Sequence, residues 1–187
     1  MHVAESHMEL ALQCAADVRG FTSPNPPVGA VLVNDNRVVS TGSTQPAGGP
    51  HAEIQAINSA GDLATGAILY VTLEPCCHYG RTSPCTEAII SAGIREVHIA
   101  TNDPNPIVSS KGIKQLQSNG IKVYLGELKD EADQMIEAHS KFILEKIPFI
   151  TTKFAMTLDG KIATKTNDSK WISGESSRKH VHELRSF

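Results

Sequence analysis

His51 and Glu53 stand two positions apart and Cys76 and Cys85 nine apart, so the chain offers one imidazole, two thiols and a carboxyl in two short segments. One imidazole and two thiolates make three ligands of a tetrahedral Zn2+ site, and a fourth position left to water is the catalytic rather than the structural arrangement. Zinc in such a site brings the pKa of its water toward about 7. Glu53 need not bind the metal; it can take the water's proton and return it to a substrate. A structural site would want a fourth protein ligand, for which Cys77 is the candidate. Adjacent side chains diverge, so Cys76 and Cys77 are not expected to share one ion. Helix N-termini beside the thiols would help to keep them ionised.

These residues need elements that bring them together. Apolar positions Met8, Leu12, Ala15 and Val18 predict a helix over 3–19 that stops at Gly20. The rigid loop Thr22 to Pro27 leads to a buried strand over 28–33. Asn34-Asp35-Asn36 then turns the chain into an antiparallel partner over 37–42. A helix over 51–60 begins at His51 and is stopped by Gly61, and an uninterrupted apolar strand over 68–73 feeds Glu74-Pro75-Cys76. Pro84 stands in the first turn of a helix over 84–92. Strands over 95–100 and 121–125 flank a helix near 111–118, and a helix from about 127 to 146 follows. The expected fold class is α/β, a three-layer α/β/α sandwich on a mostly parallel sheet with an antiparallel N-terminal hairpin. Cys14 lies on the first helix without a His or Cys nearby and reads as core. His98 alternates with Val97 and Ile99 and reads as structural, while His2, His7, His139, His180 and His182 show no ligand spacing with a partner.

The 187 residues suit one ordinary domain and a remainder. Residues 1–147 carry a net charge of −6 and residues 148–187 a net charge of +3. The last 40 residues, strand-like over 149–155 and helical over 177–187, are too few to close a core without disulfides or metal. The whole chain has net charge −3, which gives no general attraction for nucleic acid or an anionic membrane and favours a small-molecule partner. No apolar run approaches the roughly 18–20 residues of a membrane helix. Met1 to Leu12 lacks the basic start and hydrophobic run of a secretory signal. With four cysteines and no such signal, the expected compartment is the reducing cytoplasm.

His-x-Glu followed by Pro-Cys and a second Cys, with the Glu as proton shuttle, is the zinc deaminase pattern, and the chain resembles the cytidine deaminase-like superfamily. Cytidine, guanine and tRNA adenosine deaminases typically read P-C-x-x-C. Here Cys77-His78-Tyr79-Gly80-Arg81-Thr82-Ser83-Pro84 separates Cys76 from Cys85, which resembles the riboflavin-biosynthesis deaminase family and its loop P-C-x-H-x-G-R/K-T-x-P-C. The likeness extends over Thr22-Ser23-Pro24-Asn25-Pro26, Val71-Thr72-Leu73-Glu74-Pro75-Cys76, Asn102-Asp103-Pro104-Asn105-Pro106 and Gly112. It continues in Thr157-Leu158-Asp159-Gly160-Lys161 and Trp171-Ile172-Ser173-Gly174, which resemble the opening of that family's second, reductase domain.

The resemblance implies a zinc-dependent deaminase over 1–147 and an incomplete N-terminal segment of a reductase domain over 148–187. It implies hydrolytic deamination of 2,5-diamino-6-ribosylamino-4(3H)-pyrimidinone 5′-phosphate to the 2,4-pyrimidinedione and ammonia, with zinc-activated water attacking C2 and Glu53 shuttling protons. His51, Cys76 and Cys85 are the implied ligands of one Zn2+. Asn25, His78, Arg81, Asp103 and Asn105 are the implied substrate contacts, and a guanidinium such as Arg81 can grip a phosphate bidentately. Lys153 and Asp159 fall in the partial reductase segment, where NADPH would bind only if the domain were complete. The chain departs from the family at Thr44, where a His is usual, at Cys77, where Ser is common, and at Ser83, where Pro is common. A nucleobase or tRNA-base deaminase is the alternative within the fold, and a non-catalytic zinc platform for a reductase is the alternative outside catalysis. The mixed charge of Glu127 to Lys146 argues against an RNA reader. A homo-oligomer is compatible with all of these.

Overall fold

The computed structural model describes residues 3–80, 83–106 and 109–185, without the side chains of 3–6. The chain folds as two units, Met1–Pro148 and Phe149–Phe187.

In the first unit, helix α1 (Val3–Ala16) precedes strands β1 (Gly29–Asn34) and β2 (Arg37–Ser43). Helix α2 (Ala52–Ala60) and a 3-10 turn over Gly61–Ala64 lead to β3 (Ile68–Leu73). Then come α3 (Cys85–Ser91), β4 (Glu96–Thr101), α4 (Lys111–Ser118), β5 (Lys122–Leu125), α5 (Lys129–Met135) and α6 (Glu137–Glu145). The sheet order is β2-β1-β3-β4-β5. β1 pairs antiparallel with both β2 and β3, whereas β3–β4 and β4–β5 are parallel. The ladders are therefore mixed, yet four strands point the same way and only β1 opposes them.

The side-chain alternation of β1 divides the core. Ala30 and Leu32 join Leu69, Val71, Val97 and Ile99 beneath Ala52, Ala56, Ile89 and Leu116 of α2, α3 and α4. Val31 and Val33 face the other way and join Met8, Ala11 and Ala132 of α1 and α5. A sheet buried on both faces needs apolar residues at successive positions, which explains the unbroken runs in β1 and β3. Two glycines let helices approach closely enough to set the site. A Cβ at Gly42 would lie 2.1 Å from the Ala52 carbonyl oxygen, and one at Gly112 would lie 2.2 Å from that of Pro75.

Three expectations are corrected. The helix over 127–146 is two helices, because the chain leaves helical geometry at Ile136 (φ −106°, ψ 12°), whose side chain is buried in the core. The first helix ends at Ala16 rather than 19, and residues 17–20 form turns. The strand-like run 149–155 is not a strand: no ladder partner forms with it among the described residues, and an isolated strand leaves its backbone groups unpaired. In the second unit the regular element is α7 (Glu175–Leu184), and Arg178 stacks 4.2 Å over the Trp171 ring while bonding the Ser173 carbonyl.

Candidate active site

His51 is the residue that caps α2 in extended conformation (φ −71°, ψ 163°), and its side chain makes no capping hydrogen bond. The imidazole is thereby available to other elements. α2 is tied to β2 by Ser40 Oγ, which donates to the Ala56 carbonyl at 2.7 Å, and by Gln55 Oε1, which accepts from Ser43 N–H at 2.6 Å. Beyond β3, the Glu74 carboxylate accepts from the N–H groups of Ser110, Gly112 and Ile113 at 2.9, 3.1 and 3.3 Å. A buried anion on the orphan donors of a helix start is favourable, and this contact anchors the segment carrying Cys76 against α4. Cys85 opens α3 after Pro84, and its N–H donates to Cys76 Sγ at 3.3 Å, while Thr86 N–H donates to the Cys76 carbonyl at 3.1 Å.

The three ligand atoms converge. His51 Nδ1 lies 3.2 Å from Cys85 Sγ and 3.6 Å from Cys76 Sγ, and all three atoms lie within 4.8 Å of one another. Tetrahedral zinc with Zn–S near 2.3 Å and Zn–N near 2.0 Å needs S···N edges of about 3.5 Å, so the donor set fits that ion. Cys77 is not in the cluster among the described residues, and burial followed by the nearby Glu74 charge raises its thiol pKa. Hydrogen bonding by Cys85 and then His51 lowers the Cys76 thiol to about 4 against the cost of its burial, and the same sulfur pair raises Cys85. Hydrogen bonding to Cys76 raises the His51 imidazole.

Glu53, in the first turn of α2, is buried at 4% exposure. Burial, reinforced by Cys76, pushes its carboxyl up to about 7. A carboxyl that can hold or release its proton at neutral pH is suited to proton transfer.

Glu53, His51 and Cys76 line a pocket of about 370 Å3, within the size range of small-molecule sites. Of the expected substrate contacts, Asn25, His78, Asp103 and Asn105 line it too, while Arg81 lies outside the described residues. Thr22 pins the Asn25 loop through a 2.9 Å hydrogen bond from its hydroxyl to the Asn25 carbonyl. Asp103 Oδ1 accepts from Asn105 N–H at 2.8 Å, and burial raises the Asp103 carboxyl. Asp103 and Asn105 are thus turn residues and pocket residues at once. Thr44 is buried in the lining, with its hydroxyl oxygen accepting from Val28 N–H at 3.1 Å. His98 lies elsewhere in β4, stacked between Tyr70 and Tyr124 and bonded to Glu96 and Glu127. Lys153 and Asp159 are exposed in the second unit.

His139 and Ile143 complete the lining from α6, and neither was expected at the site. Their i, i+4 spacing, which puts both on one helix face, was the available signal. It said nothing of which face meets the pocket.

Residues 1–101 match the family described as the cytidine and deoxycytidylate deaminase zinc-binding region, and residues 148–187 match the RibD C-terminal domain. Riboflavin biosynthesis protein RibD of Aquifex aeolicus is 50% identical over 183 residues, covering 98% of this chain and 51% of the relative. That of Escherichia coli is 43% identical, covering 97% and 49%. The chain spans about half the length of the curated relatives it matches. A crystal structure of a diaminohydroxyphosphoribosylaminopyrimidine deaminase/5-amino-6-(5-phosphoribosylamino)uracil reductase from Thermotoga maritima superposes with a TM-score of 0.92 at 46% identity, over 98% of this chain and 53% of that one. Acinetobacter baumannii RibD gives 0.90 at 40% identity, over 98% and 52%. The Aspergillus oryzae Rib2 deaminase shares the fold at 22% identity, with a TM-score of 0.55 over 76% and 98%. The imidazole, paired thiols and buried carboxyl at one sheet end are therefore a family inheritance: the chain belongs to the cytidine and deoxycytidylate deaminase zinc-binding family.

Proposed function

We propose that the chain catalyses hydrolytic deamination of 2,5-diamino-6-ribosylamino-4(3H)-pyrimidinone 5′-phosphate, giving 5-amino-6-ribosylamino-2,4-pyrimidinedione 5′-phosphate and ammonia in riboflavin biosynthesis. The observation that carries this is a buried Glu53 that shares a pocket with His51 and Cys76, two members of the His51, Cys76 and Cys85 donor set. His51, Cys76 and Cys85 would hold one zinc ion, which supplies Lewis acidity and a water that ionises at neutral pH. The rest is proton handling. The oxygen of water becomes the C2 carbonyl oxygen, and its two protons go to the ring nitrogen and then to the amine that leaves as ammonia. Glu53 is the residue assigned to both transfers. Asn25, His78, Asp103 and Asn105 orient the ring and its side arm, with Arg81 assigned to the phosphate.

The deaminase is assigned to residues 1–147. Residues 148–187 are assigned to the opening of a reductase domain, carrying Lys153 and Asp159, and NADPH oxidation is not expected of them alone. A cytoplasmic setting and a small-molecule partner belong to the same reading; among the described residues no helix is long and apolar enough to cross a membrane.

Ammonia release from the diaminopyrimidinone ribotide, with zinc content measured beside it, tests the assignment. Glu53→Gln should keep one zinc per chain and lose activity by about 10²- to 10⁴-fold. Undiminished turnover in that variant would remove Glu53 from the chemistry, and no ammonia release from a zinc-loaded wild type would leave the zinc-platform reading instead.

A further inference from the structure

His139 has no role in the chemistry above, yet α6 turns it into the pocket that holds Glu53 and His51. The break at Ile136 is what aims it, because a continuous helix from α5 would carry residue 139 in a different direction. Nearby polar groups already have engagements. The Thr44 hydroxyl is bonded to the Val28 backbone, and Asp103 accepts from Asn105. His139 is half-buried with the Pro24 backbone as the hydrogen-bonding neighbour that favours its ring proton, and only a carbonyl is available there. Proline has no N–H, so the imidazole is the donor. Burial lowers its pKa and the Asp103 charge only partly opposes this, which favours the neutral ring. A neutral imidazole that donates from one nitrogen has only an acceptor left on the other.

We propose that His139 is a specificity-determining residue of this site, accepting a hydrogen bond from an amino or hydroxyl donor of the bound pyrimidine ribotide. This rests on the deaminase reading above. It excludes the phosphate, which at neutral pH offers mainly acceptors, as the partner of this ring.

The test compares wild type, His139→Gln, which keeps a side-chain acceptor, and His139→Phe, which keeps a ring without one. Binding of the 2,4-pyrimidinedione ribotide product is read by calorimetry on the zinc-loaded chain, and kcat and KM for ammonia release are read separately. His139→Phe should weaken product binding by about tenfold and raise KM similarly, with kcat changed less than about threefold, as for loss of one hydrogen bond. His139→Gln should recover most of the affinity, and both variants should keep one zinc per chain. Wild-type affinity in His139→Phe, equal losses in both variants, or a fall confined to kcat would each overturn the proposal. Absence of wild-type ammonia release would overturn the substrate reading alone, since the binding comparison still decides the role of His139. Absence of wild-type product binding would overturn both.

Discussion

Cys76 and Cys77 are adjacent, but only Cys76 Sγ approaches His51 and Cys85; the Cys77 thiol is half-buried beside Glu74 and raised in pKa. Cys76→Ala should therefore abolish stoichiometric zinc, whereas Cys77→Ser should keep one zinc per chain and turnover within about twofold, since structural loss at a site follows ligand loss. Metal analysis of the two purified variants checks both. The legibility of single residues follows the range of the interactions that define them. His51 and Glu53 share one helical turn, and Cys76 and Cys85 sit at the ends of one loop, so local spacing is sufficient to single them out. His139 is not legible in this way, because its meaning depends on a surface formed by residues more than a hundred positions away, including Pro24 and Asn25.

At the scale of elements, the site depends on how closely α4 meets the loop after β3. Gly112 lies against the Pro75 carbonyl, and Glu74 accepts from three N–H groups at the same place. Gly112→Ala should force the two apart, costing about 1–3 kcal/mol of stability as overpacked sites do, and should weaken zinc retention although residue 112 is not a ligand. Chemical denaturation together with competition against a chelator measures the two effects. Unchanged zinc retention would mean that the Cys76 loop is held without α4. The existence and order of the helices and strands of the first unit are readable from the chain, because apolar periodicity and the Gly and Pro stops are local. The division of the last long helix is not, since the pattern continues through Ile136 and only burial of that side chain reveals the turn. The run 149–155 has the composition of a strand, but a strand is defined by a partner, and composition does not supply one.

For the molecule as a whole, acid should be destabilising through a half-buried imidazole, that of His7. Burial, followed by the His98 charge, lowers the pKa of His7 below 6.5, and its Nδ1 is a buried atom without a hydrogen-bond partner among the described residues. Below its ordinary pKa the unfolded chain binds this proton more readily than the folded one, so stability present above about pH 6.5 is lost as the pH falls through the depressed value. Urea denaturation at about pH 7.5 and about pH 5.5 should show lower stability at the acid end, and a smaller difference in His7→Gln. Equal pH dependence in the variant would exclude His7 as a source. Because β1 alone is reversed, its beginning lies beside the finishing ends of β2, β3 and β4, and the segments bearing Asn25, His51, Cys76 and Asp103 all emerge there. The opposite rim, with the Asp35–Asn36 turn and the Asn119–Gly120 turn, bears none of the pocket. The first unit thus has a working pole and an idle pole, and the idle one is a place to graft: a short flexible peptide spliced between Asp35 and Asn36 should leave zinc content and ammonia release intact, giving a handle for immobilising or labelling the protein away from its chemistry.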